Sequence, residues 1–188
     1  MSQQELLKRV AEALDKLGIE YMLSGSFASS LQGEPRSTHD IDIVVSIRSS
    51  AAKALADSFA APDYYLTEED VREALGSEGM FNLIETNTGD KVDFWILTNQ
   101  PFDVSRFQRK YHEDVMGMKL AVSAPEDTIL AKLHWAKESG GSEKQFNDAL
   151  RVFEVQFGKL DIEYLRSWAQ RLGVSSMLEK IEERAERV

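Results

Sequence analysis

The run His39-Asp40-Ile41-Asp42-Ile43-Val44-Val45-Ser46-Ile47 constrains the fold more than any other stretch of the chain. It is β-branched, alternates at its start and turns apolar toward its end, which is the pattern of a strand entering a core. Residues two apart on a strand share a face. Asp40 and Asp42 therefore project together, and Ile41 and Ile43 project to the other side. Adjacent carboxylates repel. A fold keeps such a pair where both reach water, or where a cation lies between them.

The flanking sequence supplies a mixed frame for this strand. Ser2 and Glu5 form a capping-box pattern ahead of a helical apolar period through Leu17, and Gly18 stops it. Glu20 to Ser24 reads as a strand, Gly25-Ser26 as a break, and Phe27 to Leu31 as a short helix. A turn-rich loop over 32–37 leads into the acidic strand. Ser49 to Ala60 is expected to be helical, and Thr67 and Asp70 cap another helix through Leu75. Met80 to Thr86 and Lys91 to Leu97 read as strands joined at Asn87-Thr88-Gly89-Asp90. Asp103 to Lys110 reads as a helix, and a second hairpin turns at Gly117. From Pro125, a favoured first helical residue, the pattern is helical to the end. Gly140-Gly141, Gly158 and Gly173 divide it, with Ser142, Asp161 and Ser175 as N-cap candidates. The expected fold class is α+β: a mixed sheet flanked by helices over 1–123, and a helical subdomain over 124–188 packed on it.

Composition narrows the chemistry. The 188 residues include no cysteine, which excludes disulfides, thiolate metal sites and a cysteine nucleophile. No apolar run approaches the roughly 18 residues of a membrane span, and the N-terminus lacks the basic start and apolar stretch of a signal peptide. A cytoplasmic location is expected. The net charge of −10 opposes an extensive nucleic-acid footprint, which draws its affinity from Lys and Arg.

Three pieces carry chemistry: Gly25-Ser26 between a strand and a helix, the Asp40/Asp42 pair, and Asp93 inside Val92-Asp93-Phe94-Trp95. Asp93 is an acid in a strand that otherwise reads as core. Three converging carboxylates suit Mg²⁺, which takes carboxylate, water and phosphate oxygens. Two such ions about 3.5–4 Å apart hold the attacking and leaving oxygens of a phosphoryl displacement. Glycine lets backbone approach a phosphate, and serine at a helix N-terminus favours anions.

Gly25-Ser26, a spacer, Arg36-Ser37-Thr38-His39-Asp40-Ile41-Asp42, and a later lone Asp93 resemble the nucleotidyltransferase superfamily, whose catalytic fold is shared with DNA polymerase β. The wording is similar to a bacterial branch that includes abortive-infection toxins of toxin–antitoxin systems. Pro125-Glu126-Asp127, Lys132, and Lys144 with Asp148 are also similar to that branch, so the resemblance spans roughly 20–150. It implies that Asp40 and Asp42 bind two Mg²⁺ ions, with Mn²⁺ as a substitute, and that Asp93 joins one ion and activates the acceptor. It implies that Gly25, Ser26 and Arg36 contact the nucleotide, with Lys132, Lys144 and Asp148 lining its pocket. The implied reaction moves an NMP from an NTP, ATP included, to a hydroxyl or phosphate and releases pyrophosphate. Acceptors compatible with it are an RNA end, a protein side chain, or a small molecule such as an aminoglycoside. The contrasting reading is a non-catalytic nucleotide sensor or antitoxin-type module that binds a protein partner. A third is an unrelated fold with a surface acidic cluster.

Structural roles compete at several positions. Arg36 serves either a phosphate or the loop. Strand alternation turns His39 away from Asp40, toward a structural role. His112 and His134 are scattered and lack zinc spacing. Phe81, Phe94 and Trp95 are expected in the core. Trp135 either packs or stacks on a base. Lys132, among Ile129, Leu130 and Leu133, either extends to water along its stem or points into a phosphate pocket.

Overall fold

In the computed structural model, residues 2–35, 40–115 and 117–186 are described. Arg36 and His39 lie outside them. The described chain forms two compact units, Met1–Ser24 with Thr38–Val122, and Gly25–Ser37 with Ser123–Val188. The division expected after residue 123 is thus joined by an earlier crossing. The segment that opens with Gly25-Ser26 clusters with the C-terminal helices.

The first unit is built on a seven-stranded sheet. Its strands are β1 (Glu20–Ser24), β2 (Asp40–Ser46), β3 (Tyr64–Tyr65), β4 (Met80–Glu85), β5 (Lys91–Ile96), β6 (Tyr111–Val115) and β7 (Met118–Val122). They lie in the order β3-β4-β5-β2-β1-β7-β6. β2 runs parallel to β5 and antiparallel to β1, and β5 runs antiparallel to β4. The alternation read from the sequence holds on β2, where Ile41 and Ile43 are fully buried and Asp40 is exposed. Helix α1 (Gln3–Lys16) starts with both halves of the Ser2/Glu5 capping box and buries Leu6, Leu7, Val10 and Leu14.

Some local expectations needed correction. The helix expected over 49–60 is a 3-10 turn, Ser49–Ala51, followed by the short α3 (Ala52–Asp57). It ends at Ser58, where the bonding tightens to i−3, the Ser58 N–H donating to the Leu55 carbonyl at 3.1 Å and the Phe59 N–H to the Ala56 carbonyl at 3.0 Å. α4 (Glu68–Ser77) carries the expected Thr67/Asp70 cap. α5 (Pro101–Gln108) begins at its proline, two residues before the expected start. The two-residue β3 is too short to leave a periodic signal.

The β4–β5 hairpin is fixed by a buried carboxylate. Glu85 is 2% exposed. It accepts from the Thr88 hydroxyl at 2.6 Å, the Thr88 N–H at 2.8 Å and the Asn87 amide at 2.7 Å. These bonds, the Thr88 hydroxyl foremost, lower its pKa from 4.5 to about 2. A carboxyl depressed in the folded state stabilises the fold above its unfolded pKa, and that contribution fades as pH falls through the folded value. Urea midpoints for wild type and Glu85→Gln should therefore differ most near neutrality. The gap should close between pH 4.5 and about 2, and a gap that does not change with pH would refute this role.

The second unit contains α2 (Gly25–Gln32), α6 (Pro125–Glu138), α7 (Glu143–Val155), α8 (Ile162–Leu172) and α9 (Ser175–Arg184). β1 ends at Ser24, so the break expected at Gly25 is present, but Gly25 is itself the first residue of α2, two residues before the expected start, at φ +59°, a conformation that favours glycine. Gly33 lies so close to α7 that an added Cβ would stand 2.9 Å from the Val152 nitrogen. The Gln32 amide donates to the Ser123 carbonyl at 2.5 Å, and the Gln156 amide to the Gln32 carbonyl at 2.8 Å. Asp161 caps α8 as expected, through the Tyr164 N–H. Ser142 makes no such bond, and Ser175 is the first residue of α9, with Val174 at the cap position.

Candidate active site

The sheet places the expected carboxylates in register. On the parallel pair, Asp42 is opposite Asp93 and Asp40 is opposite Lys91. Ser24 on β1 is opposite Asp42, and Asn82 on β4 is opposite Asp93. Ser24, Asp42, Asp93 and Asn82 thus form a polar row across four neighbouring strands, all on one face. Toward the other end of that face, Met22, Val44 and Phe107 of α5 make an apolar cluster, with Trp95 and Leu97 packed against it. The polar row lies where β1 ends and where β2 and β5 begin.

Each acid has its own environment. Asp40 is exposed, Asp42 is half-buried and Asp93 is 8% exposed. The Asn82 amide donates to Asp93 Oδ1, and the Trp95 indole N–H donates to Asp42 Oδ1 at 3.3 Å. The Lys91 ammonium lies 3.0 Å from Asp93 Oδ2 and 3.8 Å from Asp40 Oδ1. Its hydrogen bond to Asp93, reinforced by the charges of Asp93, Asp40 and Asp42, raises the Lys91 pKa above its ordinary value.

Among the described residues no three His, Asp or Glu side chains already stand in metal-holding geometry. The three acids share a face without sharing a coordination point. Their donor chemistry nonetheless fits a hard divalent cation, since carboxylate oxygens are what such an ion takes. Two of them already share a positive charge, that of Lys91.

Lys91, Asn82 and Trp95 were not singled out as site residues in the sequence. Two of them carried a usable signal. The i, i+2 rule that pairs Asp40 with Asp42 also places Lys91 beside Asp93, and Trp95 two residues further on the same face. Trp95 was expected in the core. It is half-buried and bonded to Asp42, whereas Phe81 and Phe94 are core residues that stack at 4.8 Å.

The other expected residues meet in the helical unit. Lys132 of α6 is 4% exposed, and its ammonium lies 2.9 Å from Asp148 Oδ2 of α7 and 3.4 Å from the Ser26 hydroxyl of α2. It does not extend to water. Lys144 is exposed, one helical turn before Asp148. Asp127, in the first turn of α6, is fully buried and accepts from the Tyr164 hydroxyl at 2.6 Å. Trp135 is 53% exposed, so it is no core residue.

The aminoglycoside-2''-adenylyltransferase family pattern matches residues 6–83, less than half of the chain. That stretch holds Gly25-Ser26, Asp40 and Asp42 but ends before Asp93. No curated protein sequence matches the chain. Among solved structures, ANT(2'')-Ia in complex with adenylyl-2''-tobramycin superposes with a TM-score of 0.60 at 14% identity, over 91% of this chain and 99% of that one. The solution structure of the same antibiotic-resistance factor gives 0.52 at 14% identity, over 97% and 98%. A Thermotoga maritima protein provisionally described as a nucleotidyltransferase gives 0.50 at 18% identity, over 91% and 96%. With β2 and β5 parallel near the centre of a mixed sheet, the chain has the nucleotidyltransferase fold.

Proposed function

We propose that the chain is a nucleotidyltransferase that moves an NMP from an NTP to a hydroxyl of a cationic small molecule, with an aminoglycoside as the model acceptor. The carrying observation is the placement of Asp40, Asp42 and Asp93 on one face of adjacent strands, with Asp42 and Asp93 opposite one another. The matched family and the structural relatives are nucleotidyltransferases, which supports an enzyme of this kind. The net charge of −10 favours a positively charged acceptor over RNA.

In the proposed reaction an acceptor oxygen attacks the α-phosphorus. The bond to the bridging oxygen breaks, and pyrophosphate leaves. Mg²⁺ or Mn²⁺, held by Asp40, Asp42 and Asp93, would supply charge neutralisation for the attacking and leaving oxygens. Asp93, the most buried of the three and oriented by Asn82, takes the proton of the acceptor hydroxyl. Asp42 is held by the Trp95 indole, and Asp40 completes the set at the solvent edge.

The test is pyrophosphate release from each of the four NTPs with Mg²⁺, using tobramycin, tRNA and a protein mixture as acceptors. Release that requires both metal and tobramycin is expected. NTP binding without release from any acceptor would reject the enzyme and favour a nucleotide sensor. Release with tRNA alone would reject the cationic acceptor.

A further inference from the structure

We infer that Lys91 is a tethered counter-ion that holds the carboxylates together without metal and makes metal loading depend on nucleotide. This rests on the carboxylate site proposed above. Lys91 and Asp93 on β5 lie opposite Asp40 and Asp42 on β2, so the four side chains form a two-by-two block on one face. Both oxygens of Asp93 are engaged, Oδ1 by the Asn82 amide and Oδ2 by the Lys91 ammonium at 3.0 Å. The same ammonium lies 3.8 Å from Asp40 Oδ1. A divalent ion that binds Asp93 and Asp40 must therefore displace Lys91. Two positive charges a few ångströms apart on the same carboxylates oppose each other strongly.

The displaced group has somewhere to go. The Lys91 side chain is 36% exposed while that of Asp93 is 11% exposed, so the ammonium reaches the acids from the rim. Withdrawn to the rim, it is a free cation beside a metal site. A triphosphate arriving with the metal provides the anion to pair with it. Metal alone then binds against the ammonium, whereas metal with nucleotide binds with its help. By linkage, each strengthens the binding of the other.

Mn²⁺ binding, read by electron paramagnetic resonance, tests this. The proteins are wild type, Lys91→Met, Lys91→Arg and Asp42→Asn, each with and without an NTP analogue bearing an α,β-methylene bridge. Lys91→Met should bind Mn²⁺ alone about tenfold tighter than wild type. The gain from adding the analogue should shrink by a similar factor. Lys91→Arg, which keeps the charge, should resemble wild type. In EDTA, Lys91→Met should melt below wild type, because the carboxylates lose their counter-ion. The inference is overturned if Lys91→Met binds Mn²⁺ alone no tighter than wild type, or if its nucleotide-dependent gain is unchanged. Should wild type lose nucleotide-dependent Mn²⁺ binding on Asp42→Asn while Lys91→Met has no effect, only the role of Lys91 fails. Absence of Mn²⁺ binding in every protein, with and without analogue, overturns this role and the proposed function together.

Discussion

Asp42→Asn is expected to lower pyrophosphate release by about 10³-fold or more while leaving the melting temperature unchanged or slightly raised. The two effects separate because of where Asp42 sits. Its neighbours are Asp93 across the parallel ladder and Asp40 two residues back, like charges that the Lys91 ammonium bridging those two acids offsets only in part. Asparagine keeps the size and an oxygen that accepts from the Trp95 indole, the bond seen at 3.3 Å. The fold loses little, and one repulsion is relieved. The chemistry loses a formal charge where developing charge on phosphate oxygens must be balanced, and a drop of about 10³ corresponds to about 4 kcal/mol of transition-state stabilisation. Pyrophosphate release and a thermal melt on the same preparation check both halves. Full activity in a folded Asp42→Asn protein would refute the assignment of this carboxylate.

Lys132→Met should act the other way, through stability. Lys132 and Asp148 have side chains only 5% and 9% exposed and meet at 2.9 Å. Removing one member of such a pair leaves the other charged and buried, which costs about 3–5 kcal/mol. For a chain of this length each kcal/mol shifts the melting temperature by about 2–4 °C, so a fall of roughly 10 °C is expected. The paired change Lys132→Met with Asp148→Leu should recover most of it, since neither charge is then stranded. Trp168 is buried in the same unit and reports its unfolding by fluorescence. A Lys132→Met protein as stable as wild type would show that the pair is solvated. A double variant no better than the single one would place the cost in packing.

The acid pair was legible in the sequence because strand alternation is strictly local. Asp40, Ile41, Asp42 and Ile43 announce both the strand and its two faces without knowledge of any neighbour. Asp93 was legible as an acid in an apolar strand, although its position opposite Asp42 is a matter of register. Asn82 was hidden for the same reason. It meets Asp93 only through the β4–β5 pairing, which depends on how the turn at Asn87 to Asp90 closes. Lys132 could not be resolved, since its apolar neighbours fit both a stem extending to water and an enclosed charge. What decides is Asp148 on the next helix, a tertiary fact. Gly25-Ser26 ends β1 as glycine's punctuating role suggested, but the helix that follows starts at Gly25 itself and not at Phe27. The helix expected over 49–60 was overextended because its apolar spacing continued past Ser58, where the backbone bonds tighten to i−3 and the helix ends.

The crossing of the chain between its two units carries a further consequence. Because Gly25–Ser37 clusters with the C-terminal helices while the sequence on either side belongs to the sheet unit, neither unit is one continuous block of gene. A single recombination breakpoint after residue 122 would deliver α6 to α9 without α2, the helix that brings Ser26 to Lys132 and Gly33 to the backbone of α7. A chimera between relatives that exchanges only the C-terminal segment would inherit a mismatched seam. Grafting both segments together, with joints at residues 24/25, 37/38 and 122/123, keeps the helical unit whole.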